Sequence, residues 1–296
     1  MQTKISLLMA NYNNAPYIKN AIESVLNQSS TEWELVIVDD LSIDNSLEII
    51  QPYLKDERIK LFKHQINKGC GATKRTCAEN ANGEIFGILD PDDALHKDAV
   101  KIMVKAHQDN PDCGLIYSTY YKCDKNLKTK YIAKSKGLPE KGKTHLHNPM
   151  ISHFATFKKA AYVKTEGFNP KLKKAVDKDI YYKLEEVTKL KFINKPLYYY
   201  RIHEDGISQG KHVLEAQEYS VLASHAAYKR RLNTIIPNLR KKELSDLYFG
   251  LGYQYLEHED NKKAKTYLLK AIMLNPLKLS YVKTYIKRIC LKVKID

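Results

Sequence analysis

The 296-residue sequence has no run near the ~18 apolar residues that a membrane-crossing helix requires, which excludes a helical span. It carries neither G-x-x-x-x-G-K-[ST] nor G-x-G-x-x-G, so the ordinary P-loop and dinucleotide readings drop out. Cysteine is scarce. Cys70, Cys77, Cys113, Cys123 and Cys290 are odd in number, scattered and free of any C-x-x-C, which argues against a disulfide framework and a structural zinc site and predicts reduced thiols. Low-complexity tracts are also missing, which removes collagen, coiled-coil and mucin classes. The opening MQTKISLLMANYNN has one lysine before a short apolar run and no small-residue cleavage site. It reads as a first strand, and the protein is expected to stay in the cytoplasm, with peripheral membrane attachment left open.

What is present is a soluble, foldable and basic chain: 43% apolar, 28% charged, with 49 Lys plus Arg against 34 Asp plus Glu for a formal charge of +15. The length suits one large domain or a large one with an appendage. Over the first hundred residues, short apolar runs alternate with amphipathic stretches. Lys4 to Ala10 is a strand; Tyr17, Ile18, Ala21, Ile22, Val25 and Leu26 recur at helical spacing behind Pro16. Glu34 to Val38 is continuously apolar after its first residue, as a strand covered on both faces must be, and Asp44 can cap a helix bearing Leu47, Ile50 and Leu54, with Pro52 near its end. Strands at Ile59–Phe62 and Glu84–Leu89 flank a helix over Thr73–Ala81, and Val100, Met103, Val104 and His107 mark the next helix. Alternation of this kind predicts an α/β fold with a mostly parallel sheet and helices on both faces.

From residue 113 to 157 the chain turns β-rich and aromatic, with eight lysines between Tyr121 and Lys143 that form either a solvated loop or a contact for an anionic acceptor. A helix around Asp177–Val187 and two strands, Lys191–Ile193 and Leu197–Tyr200, follow. After His203 the sequence is helical. Tyr248, Leu251, Gly252, Tyr255, Ala264, Leu268, Ala271 and Pro276 fall on tetratricopeptide spacing for one repeat, equally compatible with a plain helical hairpin. Leu277 to Val293 is a basic amphipathic stretch that suits either a solvated helix or an anionic membrane surface.

Chemistry concentrates at two strand ends: Asp39 and Asp40 after ELVIV, and Asp90, Asp92 and Asp93 after EIFGIL. Ligands of open α/β sheets bind beyond the carboxyl ends of the strands, so these acids are expected to share one crevice. Crowded carboxylates raise one another's pKa unless a cation neutralises them, and hard oxygen ligands select Mg²⁺ or Mn²⁺, which in turn completes its shell with substrate phosphates. Taken alone, Asp-Pro-Asp-Asp is also an ordinary turn followed by a helix cap.

MANYNNAPYIKNAIESVLNQ, ELVIVDDLSIDNSLEII, NKGCGATKRTCAENANGEI and GILDPDDAL, in this order and spacing, resemble the inverting nucleotide-sugar glycosyltransferases of family two, over about residues 1–205. The resemblance implies a GT-A fold for residues 1–208, with a nucleotide-binding half 1–110 and an acceptor half 111–208, followed by a helical region 209–296. It places Ala10 and Tyr12 at the nucleotide base, Tyr12 stacking on it, with Asp40 taking a base N–H beside Asp39. Asp92 and Asp93 of the D-x-D correspond to metal and ribose contacts, and Lys74 stands where the family has an arginine partner for nucleotide or phosphate. Asp177 aligns with the catalytic base, its preceding Glu replaced by Val176, and Asp179 is the alternate; both also suit the first turn of a helix, where the dipole favours acids. Arg201 and His203 sit at the family's R-x-H near the diphosphate, His203 on the metal or leaving phosphate.

The implied activity is a non-processive transfer from a nucleoside diphosphate sugar, a UDP-sugar, to a hydroxyl of a glycan or lipid-linked acceptor in cell-surface polysaccharide synthesis, with Mn²⁺ or Mg²⁺ as cofactor and no nucleic-acid partner. The family's processive synthases carry Q-x-x-R-W; the only tryptophan here is Trp33. A sugar nucleotidyltransferase and a non-enzymatic tetratricopeptide-like scaffold are the competing classes.

Overall fold

The computed structural model describes residues 4–133, 137–139, 143–146, 151, 153–204, 206, 208–231 and 241–290. Two compact units emerge, Met1–Gln209 and Gly210–Asp296. The first runs β1 (Ile5–Asn11), α1 (Ile18–Leu26), β2 (Trp33–Asp39), α2 (Ser46–Ile50), β3 (Ile59–Lys63), α3 (Cys70–Glu79), β4 (Ile85–Ile88), β5 (Ala94–Leu95), α4 (Ala99–Asp109), β6 (Cys113–Cys123), β7 (Thr129–Ile132), β8 (Ala155–Lys158), α5 (Lys159–Tyr162), α6 (Val176–Glu185) and β9 (Lys189–Arg201). One sheet orders them β3-β2-β1-β4-β8-β6-β9-β5, with β7 beside β6.

The first four strands are parallel, and the register that pairs Ile5 with Trp33 ends on Asn11 beside Asp39, so β1 and β2 finish level. All seven β2 residues are buried, which is why the run carries no alternation. Antiparallel pairing enters with β8, β5 and β7, in the aromatic stretch. Glu34 ties the base of the sheet together. Its buried carboxylate accepts from Ser6 Oγ at 2.6 Å, Lys60 Nζ at 2.7 Å and Asn82 N at 2.5 Å. Burial opposes ionisation there, but these donors outweigh it and hold the Glu34 pKa below the ordinary value.

Three sequence expectations change. The helix read through Leu54 ends at Ile50 and continues as a 3₁₀ turn, Gln51–Lys55, because Pro52 offers no N–H and crowds the carbonyl four residues back. The two strands at 191–193 and 197–200 are one, β9, whose register against β6 shifts between Ser118 and Thr119 and so admits Pro196 at an irregularity. Helix α3 begins at Cys70, three residues early. Gly69 takes a left-handed turn (φ 85°), and a Cβ at Gly71 would stand 2.1 Å from Asn169 O, so only glycine lets α3 dock on the 169–172 loop. Gly71 N donates to Leu172 O at 2.9 Å across that contact.

The second unit holds α7 (Val213–Arg231), α8 (Lys241–Glu257), α9 (Asn261–Leu274) and α10 (Leu279–Tyr285). Helices α8 and α9 form a hairpin in which Tyr248, Leu251, Tyr255, Ala264, Leu268 and Ala271 are all buried. A Cβ on Gly252 would lie 2.9 Å from Leu268 Cγ, so the small residue sets the close approach. Helix α7 packs on α8 and α10 on α9. Among the described residues no helix is long and apolar enough to cross a membrane, and Cys70, Cys77, Cys113 and Cys123 are free thiols.

Candidate active site

The carboxyl ends of β1 and β2, the start of α3 and the turn after β4 enclose a cleft of about 260 Å³. Ala10, Tyr12, Asp40, Asp92 and Asp93 line it, as the sequence anticipates, together with Asn67, Lys173 and Gln209, which it did not. Tyr12 is 47% exposed, an aromatic face left uncovered at the rim.

The two acids after β2 have different work. Asp39 is turned into its own loop: Oδ1 accepts from Asn11 Nδ2 at 2.8 Å and Ser42 Oγ at 2.6 Å, and Oδ2 from Ser42 N at 2.9 Å. It fixes the β2 turn and does not reach the cleft. Asp40 faces the cleft. Its Oδ1 meets His64 Nδ1 at 2.6 Å and Lys68 N at 2.9 Å, whereas Oδ2 takes only Gly69 N at 2.7 Å, leaving a lone pair for a further donor.

Lys74 is buried beneath the cleft. Its Nζ donates to Asp90 Oδ1 at 2.9 Å and to Asp177 Oδ1 at 2.7 Å, joining the turn after β4 to the first turn of α6. Burial works against an ammonium here, yet Asp177 and Asp90 dominate and raise the Lys74 pKa well above its usual value. Asp90 moves the other way: desolvation opposes its charge, and Lys74 lowers its pKa overall. Ala175, left-handed at φ 54°, turns the chain into α6 so that Asp177 comes to Lys74. Asp179 points elsewhere, 2.8 Å from Lys183 Nζ and buried, so it does not share the bridge to Lys74; neither Asp177 nor Asp179 lines the cleft itself, and Asp177 is tied to it through Lys74 and the lining residue Asp90. Two residues, about 200° of helix rotation, put Asp177 and Asp179 on opposite faces.

Asp93 floors the cleft, its Oδ2 accepting from Tyr198 OH at 2.8 Å and its Oδ1 from Arg201 N at 2.7 Å. Burial, then the charges of Asp92 and Asp90, push its pKa well above the carboxylate range, which is the crowding expected at this turn. With both oxygens committed inward, Asp93 is a poorer metal donor than its sequence position implies. Asp92 is better placed: its Oδ2 lies 2.9 Å from His203 Nε2. Two cis ligands at ~2.1 Å on an octahedral cation stand ~3 Å apart, so this oxygen–nitrogen pair has the spacing of one octahedral edge. No third His, Cys, Asp or Glu joins them into a cage among the described residues, and Mg²⁺ sites of this type fill their remaining positions with phosphate oxygens and water.

Arg201, read as a nucleotide contact, is occupied by the protein. Nε donates to Asp92 O at 2.6 Å, Nη2 to Asn20 Oδ1 at 3.2 Å and Nη1 to Lys125 O, while the guanidinium lies 4.8 Å from the Tyr17 ring centroid. Its fork suits buried carbonyls, so it clamps the Asp92 turn rather than facing the cleft. Tyr17 also packs at 4.4 Å on His203. Cys70 lines the cleft too, and burial pushes its thiol up to about 12, so it is an inert wall rather than a nucleophile. Sequence reasoning missed Lys173, whose signal lay only in the docking of the 169–172 loop on Gly71.

Comparison with known proteins agrees with this geometry. The family model described as glycosyl transferase family 2 matches residues 6–165. Over 207 residues the chain is 35% identical to the chondroitin synthase of Escherichia coli, covering 69% of this chain and 30% of that protein. With the hyaluronan synthase of Pasteurella multocida it shares 32% over 224 residues, 75% of this chain and 23% of the other. The chain therefore spans under a third of the length of these relatives. The fold matches the crystal structure of S. aureus TarS 1–349 in complex with UDP-GlcNAc, with a TM-score of 0.72, 20% identity, and 92% of this chain and 81% of that one covered. It also matches the mannosyltransferase PcManGT of Pyrobaculum calidifontis in complex with GDP-Man and Mn²⁺, at TM-score 0.58, 15% identity, and 99% and 81% coverage. The scaffold and nucleotidyltransferase readings fall away, and the GT-A fold stands. This chain belongs to glycosyl transferase family 2.

Proposed function

We propose that the chain moves a sugar from a UDP-sugar to a hydroxyl of a glycan or lipid-linked acceptor during cell-surface polysaccharide synthesis in the cytoplasm, one residue per encounter and with inversion at the anomeric carbon. The observation that carries this reading is the Asp90–Lys74–Asp177 bridge, which sets a carboxylate on the acceptor side in fixed relation to the cleft that Tyr12 and Asp40 line. A neighbour bound to UDP-GlcNAc and relatives named for chondroitin and hyaluronan synthesis favour the same donor and product classes.

In this reading Tyr12 stacks on the base, and the open lone pair of Asp40 Oδ2 accepts its N–H. Asp177 accepts the proton of the acceptor hydroxyl as that oxygen attacks the anomeric carbon from the face opposite the nucleotide, through an oxocarbenium-like transition state. Lys74 holds Asp177 in place. Asp92 and His203 would hold Mn²⁺ or Mg²⁺, which would supply neutralisation of negative charge on the diphosphate. Arg201 keeps the Asp92 turn rigid.

A thermal-shift screen of nucleoside diphosphates and their sugars, with and without Mn²⁺, tests the proposal, because a ligand that binds only the folded state raises Tm by mass action. A metal-dependent rise with UDP and UDP-sugars is expected. The absence of any shift across the nucleotide set overturns it.

A further inference from the structure

The charge of the chain is unevenly distributed. Residues 261–295 contain ten Lys and Arg and neither Asp nor Glu, while the first 260 residues carry 39 basic against 33 acidic side chains. Within this stretch lie three of the most exposed large apolar side chains of the protein: Met273 at 81%, Leu277 at 88% and Leu279 at 67%. On α9, Lys262, Lys265, Leu269 and Met273 are all exposed and recur at helical spacing along one stripe, opposite the buried Ala264, Leu268 and Ala271. Leu279, Lys283, Ile286 and Lys287 repeat the pattern from α10 onward, opposite the buried Tyr281. Met273, Leu277 and Leu279 gather at the α9–α10 turn, and the exposed Lys262, Lys265, Lys283 and Lys287 lie farther along each helix.

We propose that the α9–α10 turn is a wedge that docks on an anionic membrane surface, Met273, Leu277 and Leu279 entering the boundary between headgroups and acyl chains while Lys262, Lys265, Lys283 and Lys287 meet lipid phosphates. The charge complementarity comes from exposed lysines on a stretch with no acid of its own; the acids that reach it, Asp246 and Glu218, are held by Lys278 with Tyr281 and by Lys263 with Tyr255 and Tyr267. The apolar tip decides between partners: a soluble polyanion gains nothing from three bared side chains of this size, whereas a bilayer rewards their burial. The docking is independent of the transferase chemistry.

The full chain is tested by co-sedimentation with vesicles of phosphatidylcholine alone and of phosphatidylcholine with about one third phosphatidylglycerol, alongside binding to soluble dextran sulfate. Expected results are capture by the anionic vesicles, little by the neutral ones, and release as salt is raised. The exposed-site variant M273S/L277S/L279S, checked for an unchanged circular dichroism spectrum, loses at least about tenfold in vesicle affinity and keeps its affinity for dextran sulfate. K262Q/K265Q/K283Q/K287Q loses both. No capture by anionic vesicles at low salt overturns the proposal. So does a serine variant that sediments like the parent chain, which would assign the face to soluble polyanions. A parent dimer that the serine variant dissolves, in the absence of vesicle binding, would assign it to a second copy and equally overturns the membrane role.

Discussion

Lys74 Nζ stands 2.7 Å from Asp177 Oδ1, a contact between residues 103 positions apart that links α3 to the first turn of α6. Lys74→Met removes the ammonium, leaves Asp90 and Asp177 without it and loosens the carboxylate. Turnover is expected to fall by about 10²-fold or more, with a smaller change in donor affinity. Steady-state kinetics against calorimetric donor binding separates the two, and an unaltered kcat would remove Lys74 from the positioning role.

Asp177→Asn keeps the shape and the contact with Lys74 but cannot take a proton. Its expected cost is ~10²–10⁴-fold in kcat with nucleotide binding intact. Asp179→Asn acts differently: it breaks the buried pair with Lys183 and should lower Tm more than it lowers kcat in the folded fraction. The reverse pattern would exchange the two assignments.

The uncovered ring of Tyr12 is expected to carry base stacking. Tyr12→Ala should weaken UDP binding by roughly 5- to 150-fold, corresponding to about 1–3 kcal/mol per stacked base, whereas Tyr12→Phe retains most of it. Equal loss in both variants would transfer the role from the ring to the hydroxyl.

For the Asp92–His203 pair, His203→Ala should weaken Mn²⁺-dependent stabilisation by UDP at least about tenfold, and a chelator should silence the parent protein. Asp93→Asn, whose partners are Tyr198 and Arg201, is expected to act first on stability. Full activity in excess chelator refutes the metal role.

His107, buried in α4 with Nε2 at 3.0 Å from Thr156 Oγ1, has its pKa lowered to about 4, by burial first and by Lys158 second. The unfolded chain binds the proton near 6.5, so stability is fully present above that value and declines as pH falls toward about 4. The loss at pH 5 is about 2 kcal/mol from this group. Denaturant titrations at pH 7.5 and pH 5 should show a shallower loss in His107→Leu than in the parent chain; parallel losses would exclude His107 as the source.

Much of the cleft was legible in the sequence because its strand ends are locally written. The apolar runs of β1, β2 and β4, the stripe of α1 and the order of the acidic turns are each contained within a few residues and locate the strand ends, and the family resemblance then points to Ala10, Tyr12, Asp40 and Asp92, all of which line the cleft. What escaped was written in pairs. β5 is two residues long and exists only through Tyr198 and Tyr199 of β9. The roles of Asp93 and Arg201 depend on each other across 108 positions, and neither periodicity nor a motif says that an arginine will be consumed by carbonyls. Likewise the split between Asp177 and Asp179 rests on which partner each finds, Lys74 or Lys183, information absent from the first turn of any helix.

Gly71 carries a consequence of its own. With Asn169 O where a methyl group would go, alanine there would push the 169–172 loop and the start of α6 outward, taking Asp177 along, yet leave Tyr12, Asp40 and Asp92 in place. Such a protein should grip its donor normally and still fail to discharge it: a catalytic defect created by a side chain that is neither polar nor in touch with either substrate.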